Sequence, residues 1–306
     1  MKKYFSTNKS IIPKNPHIAI GIMCYNEEGN ITHLLESIHN QTNWRFIKEI
    51  IIISSGSTDK TNKLVLQTAK KNKKIKLYIE KRRSGKAHAV NLFLKKSTGS
   101  ILVLISADLL LKKNSLSELV KPMYKKNVGI VGSHPIPIND KETFFGFASH
   151  LTWKLHHLVS LNNPKMGEMI AFKKCFNRIP VLTSVDEVNI EALIRGQGYK
   201  AVYAPRAIVY NKGPEIFREY ISRRRSNYVG HLTAKHEYSY TVSTLNNMYI
   251  LLLLLKNFKI DWIYIFWTPC VIVLEVYCRV LGYYDYKYNK YRHTIWEIAR
   301  STKKLK

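Results

Sequence analysis

The chain has 306 residues, with 49 Lys and Arg against 21 Asp and Glu, a formal charge of +28. The length exceeds one typical domain and allows a large α/β core with an appendage. The charge predicts attraction to polyanions, while Cys24, Cys175, Cys270 and Cys278 form no CxxC or other metal-site spacing and suggest neither a disulfide framework nor a zinc site.

Residues 1–16 read as a polar lead-in closed by Pro13 and Pro16. No apolar run follows MKKYFSTNKS, so no signal peptide is expected. Residues 17–23 form a β-branched strand candidate that runs into Cys24-Tyr25-Asn26-Glu27-Glu28-Gly29-Asn30. A helix should follow, with Ile31, Leu34, Leu35 and Ile38 on one face and Asn30 as its cap. A strand-to-helix loop carrying Asn and Glu is a place for ligand contacts; an ordinary polar turn is the alternative.

Residues 49–53 (EIIII) are a second buried strand, entering Ser54-Ser55-Gly56-Ser57-Thr58-Asp59 and a helix through Leu64, Val65 and Ala69. The loop has neither GxGxxG nor the lysine of a P-loop, which argues against a dinucleotide or ATP site. Residues 75–79 give a third strand. Lys81, Arg82, Arg83 and Lys86 then cluster around Gly85 ahead of another helix. They are either a solvated loop or a clamp for phosphate oxygens, with Lys86 as point donor and Arg83 as fork.

The run from Ile101 to Ile105 has five large apolar residues without alternation, as in a central strand covered on both faces. Ser106, Ala107 and Asp108 follow it. Ligands sit at the carboxyl ends of parallel strands, so Asp108 either holds a divalent cation or caps the next element. Residues 109–124 read as a helix, 128–131 as a strand, 147–161 as a helix and 167–172 as an edge strand. His150 and His157 lie seven apart in that helix with no carboxylate at helical spacing, so no histidine metal site is expected there.

Asp186 and Glu187 open an apolar-faced helix, where carboxylates are stabilised as anions; one of them can take a proton from a hydroxyl, or Asp186 can act as a cap. Residues 199–203 are the next strand, ended by Pro205. Arg218 and Arg225, seven apart, share a helix face and reach either a diphosphate or a membrane surface.

Residues 238–255 hold 18 residues without a formal charge, the first half of them polar, and 262–274 are again uncharged. Together they read as a hairpin that enters the membrane, with Lys and Arg on both flanks placing both ends on the cytosolic side. Asn246, Asn247 and Glu275 favour instead an interfacial pair; a buried pair in a soluble domain is the third reading. No zinc finger, RRM signature or basic–aromatic strand pair appears, so nucleic acid is not an expected partner.

Taken together, residues 17–230 resemble the inverting GT-A glycosyltransferases of family 2, in the branch related to cellulose, chitin and hyaluronan synthases. Cys24-Tyr25-Asn26-Glu27-Glu28 is similar to the P-x-Y-N-E motif, and Ser54 to Asp59 to D-D-G-S-T-D. Gly85-Lys86-Ala87-His88-Ala89-Val90-Asn91 is similar to G-K-A-x-A-L-N. Ser106-Ala107-Asp108 stands at D-x-D, Asp186-Glu187 at E-D, and Ser222 to Ser226 at Q-x-x-R-W. Serines replace the paired Asp at 54 and 55, the first Asp of D-x-D at 106, and the Gln and Trp at 222 and 226.

The resemblance implies an α/β fold, a GT-A-like Rossmann-type mostly parallel sheet flanked by helices, followed by a C-terminal helical membrane-associated region. It implies the divisions 1–16 lead-in, 17–237 GT-A domain, 238–284 membrane-associated hairpin and 285–306 basic cytosolic tail. It assigns Asp108 to Mn²⁺ or Mg²⁺, and Tyr25, Glu27, Ser55, Asp59, Arg83, Lys86, Ser106 and Arg225 to the donor. Glu187 is the general base, or Asp186 if the register shifts by one. The implied activity is inverting transfer of one sugar from a nucleotide-sugar, a UDP-sugar first, to a hydroxyl or phosphate acceptor. A lipid-linked acceptor is favoured over a free saccharide, at a membrane with the catalytic domain facing the cytoplasm. The alternatives are a polysaccharide synthase-like transferase and a catalytically degenerate homologue serving as a membrane partner subunit.

Overall fold

The computed structural model describes Tyr4, residues 17–289 and residues 293–305. Most of the expected lead-in, and Lys290, Arg292 and Lys306 of the expected tail, lie outside the described residues.

Four strands form a parallel half-sheet: β1 (Ile18–Cys24), β2 (Ile47–Ser55), β3 (Ile75–Glu80) and β4 (Ile101–Ser106). Alternate residues of these strands feed opposite faces, as the period of two requires. Ile20, Ile22, Ile50, Ile52, Val103 and Ile105 pack on one side with helix α1 (Ile31–His39). Ala19, Ile51, Ile53, Leu102 and Leu104 pack on the other with α3 (Lys86–Lys96), whose Phe93 is fully buried. Helix α2 (Thr61–Lys71) leads from β2 to β3.

The other strands are β5 (Leu109–Leu111), β6 (Val128–Pro137), β7 (Met169–Lys173) and β8 (Lys200–Asn211). The full order is β3-β2-β1-β4-β7-β6-β8-β5, with β7 antiparallel to both β4 and β6 and β5 antiparallel to β8. The sheet is therefore mixed, with its parallel half where expected. β2 follows β1 on one side and β4 lies on the other, so the carboxyl ends of β1 and β4 form a switch-point crevice.

Three local expectations are corrected. Residues 109–124 are not one helix: Leu109 to Leu111 pair with Asn211 to Val209 of β8, and only α4 (Ser115–Val120) and a 3₁₀ turn (Lys121–Tyr124) are helical. Pro205 does not end its strand; the pairing slips between Gly132 and His134 of β6, and the proline sits in the resulting bulge, where its missing N–H costs no ladder bond. Asn30 precedes α1 without capping it by its side chain, which instead donates to Glu27 and accepts from the Leu305 N–H.

The helices that close the domain are α5 (Phe144–Asn162), α6 (Asp186–Arg195) and α7 (Phe217–Tyr238), followed by α8 (Asn247–Lys256) and α9 (Trp262–Tyr288). The apolar run expected as the first arm of the hairpin is not one helix. The run from 238 divides between the end of α7, a 3₁₀ turn and a ten-residue α8, which at 1.5 Å per residue spans only about 15 Å of a ~30 Å hydrocarbon core. Among the described residues only α9, with 27 residues, is long and apolar enough to cross a membrane. Its Glu275 does not face lipid: Arg224 of α7 grips both carboxylate oxygens at 2.7 Å, and Arg279 adds a third bond at 2.9 Å. The outer faces of α8 and α9 expose Leu252, Leu255, Trp262, Phe266, Val273 and Val280.

The basic tail is not a free cytosolic extension. Residues 285–288 complete α9, and residues 293–305 return to the α/β domain, where Thr302 and Leu305 are buried. Lys303 pairs with Glu27 and donates to the Tyr25 carbonyl, while Glu219 accepts from the Arg300 N–H.

Candidate active site

The loop after β1 is shaped by Asn26, whose φ of 51° is left-handed and whose side chain accepts from the Thr58 N–H. The Glu27 N–H donates to Thr61 Oγ1, and the Glu27 carbonyl starts α1. The loop after β2 needs Gly56: its φ is 73°, and a Cβ there would lie 2.7 Å from the Arg83 nitrogen. That close approach brings the Ser54–Asp59 loop against the basic loop. Ser55 Oγ accepts from the Ser84 N–H at 3.2 Å.

A cavity of about 1320 Å³ opens on these loops, at the carboxyl ends of β1 and β4. It is larger than the ~300–1,000 Å³ of a single small-molecule site, so it has room for two substrates. Tyr25, Glu27, Ser55, Arg83, Lys86, Ser106, Asp108, Asp186 and Glu187 all line it. Asp59 and Arg225, expected at the donor, do not line it. Asp59 braces the two loops by accepting from the Glu28 and Thr61 N–H groups. Arg225 turns away and pairs with buried Asp285 at 2.6 Å, beside His293. Arg223 faces the cavity in its stead, 3.8 Å from Asp108. Residues two apart on a helix differ by roughly 200° in direction, so Arg223 and Arg225 take opposite sides, while Arg224 between them also lines the cavity.

Cations and carboxylates alternate along the cavity wall. Lys86 Nζ lies 3.1 Å from Asp186 and 3.4 Å from Ser106 Oγ. Burial works to lower its pKa, but Asp186, Glu187 and Glu168 outweigh this and raise it. Arg83 stacks over the Tyr25 ring and donates to the Trp296 carbonyl at 2.7 Å.

Glu187 differs from Asp186, having no ion pair to any described residue and accepting only from its own backbone N–H. Burial and the neighbouring Asp186 charge push its pKa up to about 7. Glu27 is also pushed to about 7, by burial and then by Asp108, with Lys303 opposing. Glu168, on the approach to β7, is raised by burial and by Asp108 against the pull of Arg223.

Asp108 and Ser106 offer hard oxygen donors, and Asp108 adds negative charge that Glu27 and Glu168 both register. Among the described residues no three His, Cys, Asp or Glu side chains form a ready cation cage. This donor set fits an ion held by one or two carboxylates, with substrate phosphates and water completing the shell, as Mg²⁺ commonly is.

Arg223, Glu168, Trp296 and Lys303 were not expected at the donor site. Arg223 lies beside a motif position that a better helix phase would have selected, whereas Glu168 sits in the loop before β7. Trp296 and Lys303 come from a tail whose return has no local signal.

A half-parallel sheet with an acidic group at the end of β4 and a nucleotide-sized cleft beside it defines an α/β protein of the GT-A-like class. The chain belongs to the family Glycosyl transferase family 2, whose profile matches residues 19–184. It is 24% identical over 316 residues to the poly-beta-1,6-N-acetyl-D-glucosamine synthase of Staphylococcus epidermidis, covering 96% of this chain and 74% of that protein. It is 29% identical over 139 residues to the beta-monoglucosyldiacylglycerol synthase of a Nostoc species, covering 45% of this chain and 30% of that one. Its fold is similar to that of a mannosyltransferase from Pyrobaculum calidifontis solved with GDP-Man and Mn²⁺, with a TM-score of 0.66 and 20% identity over 93% of this chain and 92% of that one.

Proposed function

We propose that this chain is an inverting glycosyltransferase that moves one sugar from a nucleotide-sugar, a UDP-sugar first, to a hydroxyl or phosphate of a lipid-linked acceptor. The observation that carries the reading is Glu187: a half-buried carboxylate without an ion pair, its pKa pushed up to about 7, in the same cavity as Asp108. Such a group is suited to take a proton from an acceptor hydroxyl. Asp186 is less suited, because Lys86 already holds it.

In this reading Tyr25, Arg83 and Ser55 receive the nucleoside, and Lys86 and Arg223 receive the diphosphate. Mn²⁺ or Mg²⁺, held by Asp108, would neutralise charge on the departing diphosphate. Glu187 receives the acceptor's proton as the acceptor oxygen bonds to the anomeric carbon. The bond to the diphosphate breaks on the opposite face, and the nucleoside diphosphate leaves with the electron pair. The mannosyltransferase solved with GDP-Man and Mn²⁺ supports this assignment of the cleft. Domain limits of 17–237 for catalysis and 238–288 for membrane contact accompany the reading, with 293–305 now assigned to the catalytic domain.

The test is nucleoside diphosphate release from a panel of UDP- and GDP-sugars with Mn²⁺, for wild type and Asp108→Asn. Loss of several kcal/mol of charge stabilisation lowers the variant's rate at least ~100-fold. A variant with near wild-type release would remove Asp108 from the metal role. Nucleotide binding without turnover by wild type would favour the partner-subunit reading.

A further inference from the structure

The lining of the large cavity reaches beyond the residues assigned to the donor: with Glu187 it takes in Lys165 and His231 and side chains of α5, α8 and α9, which form its second arm. Its far walls are Leu151, Leu155, Leu251, Leu254, Ile272 and Val276. Leu251, Ile272 and Val276 are 44%, 40% and 55% exposed, so this end of the arm opens on the apolar outer face of α8 and α9.

Between the carboxylate end and the apolar end lies a cationic station. Lys165, half-buried in the connection from α5 to β7, lies close enough to feel Glu187, Glu191 and Glu168 as well as Arg224. Its ammonium makes no hydrogen bond or ion pair to any described residue. His231 is surrounded by Lys165, Arg224 and Arg279, and burial together with these charges holds it neutral. Glu275 neutralises Arg224 and Arg279 only in part, being one carboxylate for two guanidiniums. Desolvation at Lys165 outweighs the pull of its neighbouring carboxylates and lowers its pKa, so an anionic ligand paired with the ammonium offsets a cost that the protein leaves standing.

Resting on the transferase reading above, we infer that this arm binds the acceptor, and that the acceptor is a membrane lipid with a hydroxylated head joined through phosphate to hydrocarbon chains. The order of the wall dictates the order of the ligand. The hydroxyl meets Glu187, the phosphate meets Lys165 with Arg224, Arg279 and a neutral His231 N–H around it, and the chain lies in the apolar arm. The source is the bilayer, because the arm is continuous with the exposed apolar face of α8 and α9. In the reaction the hydroxyl oxygen forms the new bond to the anomeric carbon, its proton passes to Glu187, and the nucleoside diphosphate carries away the broken bond's electrons. The phosphate is a recognition group and is not consumed.

The test uses the full chain and soluble short-chain probes, titrated calorimetrically. Dihexanoylphosphatidylglycerol carries all three parts, dihexanoylglycerol lacks the phosphate, and glycerophosphoglycerol lacks the chains. The first is expected to bind, with each of the others at least ~10-fold weaker. Lys165→Met should weaken the first by about 10- to 100-fold, the worth of a hydrogen bond to a charged group, and bring it level with dihexanoylglycerol. Leu254→Trp, which fills the apolar arm far from Lys165, should weaken both chain-bearing probes and not glycerophosphoglycerol. Nucleotide-sugar binding with Mn²⁺, measured on each variant, reports whether the fold and donor site survive. Failure of that binding in wild type would sink the transferase reading while leaving the lipid result standing. Equal affinity for the phosphate-bearing and phosphate-free lipids, or no effect of either substitution, would overturn the inference.

Discussion

Replacing Glu187 by Gln keeps the side chain's shape and removes its ability to accept a proton. In the protein its pKa is about 7, against an ordinary 4.5, so the fold disfavours the charged form by roughly 3 kcal/mol. The consequence for the reaction is a rising limb: transfer at low acceptor concentration should climb about tenfold per pH unit below ~7 and level off above it. Glu187→Gln should lower the plateau by about 10²–10⁴-fold and abolish the limb. Asp186→Asn should do less, because that carboxylate is held by Lys86 at 3.1 Å. The same shift has a sign for stability. A carboxyl whose pKa is raised on folding destabilises the fold once the unfolded chain ionises, so the cost begins near the ordinary 4.5, grows up to about 7 and is constant above. Glu187→Gln should therefore raise thermal stability at about pH 8 and leave it unchanged at about pH 4. The assays are initial rates of nucleoside diphosphate release against pH and calorimetric melting at the two pH values. Glu27 titrates in the same range. A limb that persists in Glu187→Gln and disappears in Glu27→Gln would refute the base assignment.

Arg223 and Arg225 should separate function from stability. Arg223→Met is expected to lower kcat/KM for the donor at least ~10-fold with stability changed by less than about 0.5 kcal/mol. Arg225→Met strands buried Asp285 and should cost up to about 3 kcal/mol, measured by denaturant unfolding, with donor KM little changed; the reverse pattern would show that the helix faces are misassigned. Lys303→Met leaves Glu27 without its cation, so it should raise donor KM and destabilise the protein more at about pH 8 than at about pH 5, since the pair exists only when Glu27 is ionised. An equal loss at both pH values would mean that the tail is held by packing alone.

The parallel half of the fold was legible because its signals are local. Unbroken apolar runs such as Ile101 to Ile105 read directly as central strands, and the strand-end loops carried Tyr25, Glu27, Lys86 and Asp108 into one cleft. The misreadings came where tertiary contacts decide. Leu109 to Leu111 are apolar in either state, and only pairing with β8 makes them a strand. Pro205 ends a regular strand in isolation, yet a bulge accommodates it. Glu275 looked like a charge in a membrane span, and Arg224, 51 residues away, makes it an ion pair. The return of residues 293–305 depends on Glu27, Asn30 and Glu219, each far away in sequence, so the basic tail read as solvated.

The anomeric configuration of the transferred sugar tests the central claim most directly. With an α-linked nucleotide-sugar of gluco or galacto configuration as donor, proton NMR from the first minutes of the reaction reads the coupling of the product's anomeric proton. Displacement by an acceptor oxygen activated by Glu187, on the face opposite the diphosphate, predicts a β-linked product. An α-linked product would contradict the account.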